Sequence, residues 1–337
     1  ALTTSGSVRD VTDTITIVAE SPGLMHEAVE VVITIPTFKR PDHVIKTLES
    51  VKNQSTKRNY AIIVMDNDAE GLQGIGACQK HFESGHYIGT LEIAHARGNC
   101  NAYNAGWLTA LMKYPNFKHL MVIDDDEVAD PNWIENMCAT AEKYGTDIVG
   151  GPQLPVFEKP EHQGYAKHPV FTPHYSQTGP VPIVYSSGNL LVTRKLIETM
   201  GHPFFHLQFN FMGGGDADLI DRSVTKGFKV AWCNEAPVHE TVPPRRTESD
   251  WLRARSLRNG VISTLVERRQ RANEPFGRVR TFAKSLALLG VSPFRAVMKT
   301  IKTGSPMIGF YHVYIGLGRV LGEFGYSNEQ YRHAEKN

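Results

Sequence analysis

His119-Leu-Met-Val-Ile-Asp124-Asp125-Asp126-Glu127 is the stretch from which the rest of the chain is read. A short apolar run that stops at a burst of carboxylates reads as a buried strand, ending where a parallel sheet places its ligands. Crowded carboxylates repel one another, so a fold that gathers them at one strand end needs water, a cation or both. Side chains alternate along a strand, which sets Asp124 and Asp126 on one side and turns Asp125 away. Two acidic ligands within short reach suit a hard divalent cation, Mg²⁺ or Mn²⁺, that keeps further positions for a diphosphate. Taken alone, the triplet is equally well explained as a solvated acidic turn.

Upstream, the β-branched run 31–36 predicts a strand, and Pro41 opens a helix with Val44, Leu48 and Val51 at helical spacing. Residues 60–65 read as the next strand, ending at Asp66-Asn-Asp68. A helix over about 72–82, a strand near 91–93 and a helix over 101–113 lead to the strand at 120–123. Downstream, a helix after Pro131 runs to about Tyr144 and a short strand to Gly150. Strands alternating with helices predict an α/β fold with a mostly parallel central sheet. Its strand exits at 37–40, 66–68 and 124–127 line the crevice where a nucleotide lies in such sheets. Neither G-x-G-x-x-G nor G-x-x-x-x-G-K-[ST] is present, so no dinucleotide fold or P-loop is supported. Asp66 either accepts hydrogen bonds from a base or ribose or caps its own strand end. Residues 1–30 carry one possible strand, at 14–18, and are read as an extension.

Beyond Gly150, residues 152–182 are rich in Pro, His and aromatics and lack periodicity, which predicts a functional or mobile loop. Ser186-Ser-Gly188-Asn189 turns into a strand that ends at Thr193, and a helix starts at Lys195. The aromatic stretch 204–212 then delivers a second acidic cluster, Gly213-Gly214-Gly215-Asp216-Ala-Asp218. Three glycines let the backbone bend sharply and leave room for a bulky ligand. The Asp that follows is either the N-cap of a helix running to Lys226 or a catalytic base at its N-terminus. A further strand, 229–233, leads to His239, whose place on a strand-exit loop makes it a candidate metal ligand.

The 337 residues, 41% of them hydrophobic, bury one large core or two smaller ones. A formal net charge of +1 gives no argument for nucleic acid, but the distribution is uneven. Residues 245–302 hold 14 Lys/Arg against 4 Asp/Glu, leaving the remainder at about −9. The four cysteines are widely separated, without metal-ligand spacing or a disulfide framework, and fit a reducing cytosol. No secretory signal pattern opens the chain, and the closest approach to a membrane span, the uncharged stretch 303–318, is short of the roughly 20 apolar residues needed and contains Gly and Pro.

Taken in order, these elements resemble inverting glycosyltransferases of family 2, with the GT-A nucleotide-diphospho-sugar transferase fold. The resemblance rests on Ile35-Pro-Thr-Phe-Lys-Arg-Pro41, Ile63-Val-Met-Asp66-Asn, the segment 98–106, the Asp124-Asp-Asp126 triplet as a D-x-D motif, the 213–219 cluster and the His239 loop. The run from Val230 to Arg246 is similar to that of bacterial exopolysaccharide glucosyltransferases of succinoglycan type. The resemblance implies that Pro36, Thr37, Arg40, Asp66, Asn104, Asp124 and Asp125 bind a nucleoside-diphosphate sugar, most simply a UDP-sugar. It implies that Asp126 and His239 hold Mn²⁺ or Mg²⁺, that Asp216 is the general base, and that Gly188, Asn189, Gly214, Gly215 and Asp218 face the acceptor. Two departures stand out: Gly215 occupies the position where Glu is usual, and Tyr103 that where Arg is frequent.

The expected organisation is an N-terminal extension, 1–30; a GT-A catalytic domain, 31–248, with a nucleotide-binding half, 31–127, and an acceptor-binding half, 128–248; and a C-terminal basic, amphipathic helical region, 249–337. Helices of this last kind either pack on the catalytic domain or lie on an anionic bilayer, each basic residue there contributing about 1 kcal/mol. The resemblance implies the second, with a saccharide or polyprenyl-diphosphate-linked acceptor and a peripheral location at the cytoplasmic face of the inner membrane. The rival classes are a sugar-nucleotide nucleotidyltransferase, which would need a Gly-rich basic loop after the first strand, and a non-catalytic carbohydrate- or membrane-binding protein.

Overall fold

A computed structural model describes residues 14–185 and 187–326; the expectations for 1–13, for Ser186 and for 327–337 fall outside them. The chain builds a large sheet around β2 (Val31–Thr37), which pairs in parallel with β3 (Tyr60–Asp66) on one side and β5 (His119–Ile123) on the other. Beyond β3 comes β4 (Gly89–Ala94), also parallel, and then β1 (Ile15–Glu20), antiparallel at the edge. The predicted strand at 14–18 thus belongs to the catalytic sheet, and the sheet begins well before Val31.

On the far side of β5 the polarity changes. β10 (Asn189–Thr193) runs antiparallel between β5 and β7 (Ile148–Gly150), followed by β11 (Val230–Trp232) and β9 (Gly179–Val181). A second, three-stranded sheet joins β6 (Glu127–Ala129), β12 (Val238–Val242) and β8 (Gln153–Phe157). The segment 152–182 is therefore no single loop: its first strand extends the small sheet and its last closes the edge of the large one.

Both faces of the large sheet are covered, which is why its strands read as continuous apolar runs. Val31, Ile33 and Ile35 pack with α1 (Pro41–Lys52), α2 (Gln73–Glu83) and α4 (Trp133–Tyr144). Val32, Ile63 and Val122 pack with α3 (Asn99–Lys113), α5 (Arg194–Met200) and α6 (Gly215–Thr225).

Three helices follow, α7 (Ser249–Gln270), α8 (Gly277–Thr303) and α9 (Pro306–Glu323). α7 is bound into the catalytic domain: Val261 joins its core, and the Arg269 guanidinium meets the Asp218 carboxylate at 2.6 Å. α9 lies against α7 at backbone contact. A Cβ on Gly318 would stand 2.0 Å from the Leu257 carbonyl, and one on Gly260 2.3 Å from that of Ile315. Inside this contact Arg319 pairs with Glu267 at 2.5 Å, and Lys284 of α8 reaches the same carboxylate at 3.0 Å.

Gly318→Val should therefore push the two helices apart and lower stability by about 1–3 kcal/mol, the usual cost of overpacking. Gly290→Ala, in α8 with nothing within 4 Å of its added Cβ, should stabilise by about 0.5–1 kcal/mol through helix propensity. Urea denaturation of the two variants measures both, and equal effects would contradict the packing described.

Candidate active site

The exits of β2 and β5 open into one cleft of roughly 820 Å³, whose walls include Pro36, Thr37, Arg40, the Asp124–Asp126 triplet, Gly188, Gly214, Gly215, Asp216 and Glu240. β5 ends at Ile123, so the triplet forms a turn and not a strand continuation. The Thr47 hydroxyl of α1 fixes this turn by donating to the carbonyls of Asp125, at 2.9 Å, and Glu127, at 2.6 Å. Glu127 folds back to accept the Asp124 N–H at 2.8 Å, and its other oxygen accepts from Gln153.

The turn overrides the alternation expected of a strand. Asp125 and Asp126 share Arg40, whose Nη1 donates to them at 3.1 and 2.8 Å, while Thr37 donates to Asp125 at 2.8 Å. Asp124 is the carboxylate set apart, accepting the Tyr103 hydroxyl at 2.6 Å. Tyr103, in the position where the resemblance expects Arg, thus binds the acidic turn directly.

Burial and mutual repulsion govern the protonation of this group. Burial first, then the charge of Asp126, pushes Asp124 up to about 7, against the Tyr103 hydrogen bond that lowers it. Burial brings Asp125 to about 6 despite the Arg40 cation. Glu127 is held well above the usual carboxylate range by burial and the charge of Asp124. Glu240 is raised by burial, with Arg246 opposing; Arg246 bonds Glu240 at 2.5 Å and also meets Asp126, at 3.4 Å.

His239 does not join Asp126. It lies on β12, opposite Val128, and its Nε2 meets Asp130 at 2.9 Å, outside the cleft. The strand decides this: Val238 and Val242 mark its buried face, Glu240 shares their parity, and His239 takes the other. Reading 238–242 as a strand instead of a loop would have selected Glu240 from the sequence.

Three more expected ligand contacts are taken up by the fold. Asp66 is fully buried outside the cleft and accepts the N–H groups of Asp68 and Ile75, at 2.9 and 2.8 Å, which is the capping alternative. Asn104 exchanges both bonds with the Phe205 backbone, each at 2.9 Å, and Asp218 is buried among Arg222, Arg269 and His206. Neither lines the cleft. Asn189 reaches the wall, but its amide accepts from the Trp133 indole and donates to the carbonyls of Pro152 and Ala236, pinning three segments together.

The glycines make room as expected, though for neighbouring side chains. A Cβ on Gly188 would stand 2.6 Å from Glu127 Oε1, and one on Gly214, where φ is +91°, 2.6 Å from Ile262. Asp216 is the second residue of α6, so it is neither the N-cap nor in a loop. Burial raises its pKa, while the N–H of Ala217, the Arg255 cation and its own N–H lower it. The cleft is completed by Trp251, Arg255 and Tyr311 from α7 and α9. Sequence reasoning missed these as site residues, because nothing in a helical pattern says which neighbour it packs on.

The glycosyl transferase family 2 model matches residues 32–201. The succinoglycan biosynthesis protein ExoM of Rhizobium meliloti (strain 1021) is 27% identical over 248 residues, which cover 70% of this chain and 74% of ExoM. Among solved structures, S. aureus TarS 1-349 in complex with UDP aligns with a TM-score of 0.51 at 12% identity, covering 88% of this chain and 91% of that one. The UDP-GlcNAc complex of the same protein gives 0.50 at 10% identity, with the same coverage. These likenesses in structure show the fold.

The raised carboxylates set a pH dependence. Native Asp124 keeps its proton up to about 7, whereas the unfolded chain releases it near 3.8; between those values the native state binds more protons, so stability falls as pH rises. Thermal melts of the metal-free protein should drop by several degrees from pH 5 to pH 8, and Asp124→Asn should flatten the slope and exceed the parent's midpoint at pH 8. Parallel curves for the two proteins would show that Asp124 is not strained.

Proposed function

The chain belongs to glycosyltransferase family 2, and from this premise we propose that it moves a sugar from a UDP-sugar to a saccharide acceptor with inversion at the anomeric carbon. The observation that carries the reading is the division of one cleft between an arginine-bridged carboxylate turn and a separate carboxylate, Asp216, on the first turn of α6. Such transfer needs stabilisation of charge on the departing diphosphate and removal of a proton from the acceptor hydroxyl.

The turn fits a hard divalent cation by donor type. Asp124, Asp126 and Glu240 offer carboxylate oxygens alone, with Arg40 and Arg246 in contact with Asp126 and Arg246 with Glu240. Among the described residues no group of three or more His, Cys, Asp or Glu is arranged to hold a metal. An all-oxygen donor set of this kind would suit Mg²⁺ or Mn²⁺, which Asp126 would hold with Asp124 beside it. When bound, the cation neutralises developing charge on the leaving group. Arg40 and Arg246 orient Asp126, and Tyr103 orients Asp124.

Asp216 accepts the acceptor proton. Burial raises its pKa and so makes the carboxylate a stronger base, while helix-terminal N–H groups and Arg255 oppose that rise. Attack from the face opposite the diphosphate inverts the sugar.

Trp251 and Tyr311 offer aromatic faces at the end of the cleft formed by the C-terminal helices. There we place the saccharide of a lipid-linked diphosphate acceptor, in bacterial exopolysaccharide synthesis at the cytoplasmic face of an anionic membrane. The name of ExoM and the basic C-terminal helices support this placement. Among the described residues no helix is long and apolar enough to cross a membrane.

Incubation with a panel of UDP-sugars and Mn²⁺ should release UDP slowly from one of them. Asp216→Asn should lower transfer by about 10²–10⁴-fold, the usual range for a general base, with Mn²⁺-dependent UDP affinity unchanged; transfer at the parent rate would remove Asp216 from that role. Asp126→Ala should weaken calorimetric UDP binding by about tenfold or more in the presence of Mn²⁺, in line with the loss of a ligand to the bridging ion. Unchanged affinity would remove Asp126 from the cation site.

A further inference from the structure

α8 is built inside out. Its fully buried positions are Gly277, Thr281, Ser285, Ser292 and Ala296, all small and three of them hydroxylated. Its exposed positions include Val279, Leu286, Phe294, Val297 and Ile301, spaced by seven, eight, three and four residues and so gathered on the side turned away from the protein. Phe294 is 69% exposed and Ile301 75%. A water-facing helix carries the reverse pattern.

The helix is met at its start by Phe276, 80% exposed and held at φ +57°. A bulky residue in the left-handed region is uncommon, and here its ring projects outward beside a small pocket lined by Arg268, Arg271 and Arg278. Phe324, 76% exposed, packs edge-on against Phe282 of α8. The apolar surface therefore spans the whole length of α8 and continues at its first end.

Charge identifies what covers this surface. Residues 275–322 contain seven Lys/Arg and no Asp or Glu. Arg278 and Arg280, exposed one residue either side of Val279, flank the apolar stripe at about 100° to each side of it, and Arg295, Lys299 and Lys302, exposed further round the helix, add to the local positive charge. A second copy docked through the same face would set cation against cation, whereas an anionic lipid surface offers both hydrocarbon and countercharge.

We infer that α8 is a membrane-docking helix whose outward face, centred on Phe294, Val297 and Ile301, inserts into the headgroup boundary of an anionic bilayer, with Arg278 and Arg280 at its margins on the phosphates. This deepens the membrane placement proposed above: it assigns docking to α8 alone and gives α7 and α9 to the catalytic domain. Lys284 stands on the side of α8 turned toward the protein and lines the cleft, so the docking helix itself forms part of the cleft wall.

Flotation with vesicles of phosphatidylglycerol and phosphatidylcholine, and of phosphatidylcholine alone, tests this. The protein should float with the first, lose association as salt rises, and remain largely unbound with the second. Phe294→Glu/Ile301→Glu should reduce flotation at least tenfold, and Arg278→Gln/Arg280→Gln should weaken its salt dependence. Both variants should retain the parent's UDP release and circular dichroism melt, since the altered side chains are exposed and outside the cleft. Failure of the parent to float, or equal flotation of parent and Phe294→Glu/Ile301→Glu, would overturn docking through α8 while leaving the transferase reading intact. A parent dimer in analytical ultracentrifugation, dissociated by the same double variant, would assign the face to a second copy and also overturn it.

Discussion

Four consecutive carboxyl groups at the end of one buried strand are the constraint around which this structure is arranged. Left to themselves Asp124, Asp125, Asp126 and Glu127 would repel or take up protons. The surroundings answer each one separately: Arg40 spans Asp125 and Asp126, Arg246 bridges Asp126 to Glu240, Tyr103 serves Asp124, and Gln153 serves Glu127. These partners come from different elements, so the turn is also the point where α1, α3, the small sheet and the segment before α7 are drawn together. Burial, together with the charge of Asp126, still raises Asp124 and Asp125, and a buried carboxylate group of this kind would suit a cation-bearing phosphate ligand.

The polarity of the sheet explains how two reactants meet there. β5 exits into the cleft, and β10, antiparallel beside it, enters from the same edge with Asn189 opposite Ile123. The turn before β10 therefore faces the acidic turn across one hydrogen-bonded pair. Had β10 been parallel, its start would lie at the opposite edge of the sheet. α6 then brings Asp216 from the covering layer, and α7 and α9 close the remaining side.

Much of this was legible because periodicity is a local property. The strands at 31–36, 60–65 and 120–123 and the helices following them lie within a residue or two of their expected places, and the family resemblance drawn from the ordered motifs agrees with the family match. That match also decides against the nucleotidyltransferase and the non-catalytic reading. What failed was the aim of individual side chains. Asp66, Asn104 and Asp218 look like ligand groups in a motif, yet each spends its polar atoms on the fold. Asp124 and Asp125 exchanged their expected directions because a turn replaces the strand. His239 and Glu240 differ only by parity on a short strand, and that strand forms through long-range pairing with β6 and β8, which no local pattern contains.

The small buried side chains of α8 and the glycines of α9 carry one more implication. A helix fixed by apolar burial depends on water to hold it in place, and loses that grip when hydrocarbon surrounds it. This bundle is fastened by close backbone approach and by Glu267 gathering Arg319, Lys284 and Arg271, the same means by which helices associate within lipid. Its architecture is thus indifferent to which solvent touches its outer side, and exchanging water for acyl chains along α8 would leave the cleft's geometry as it was.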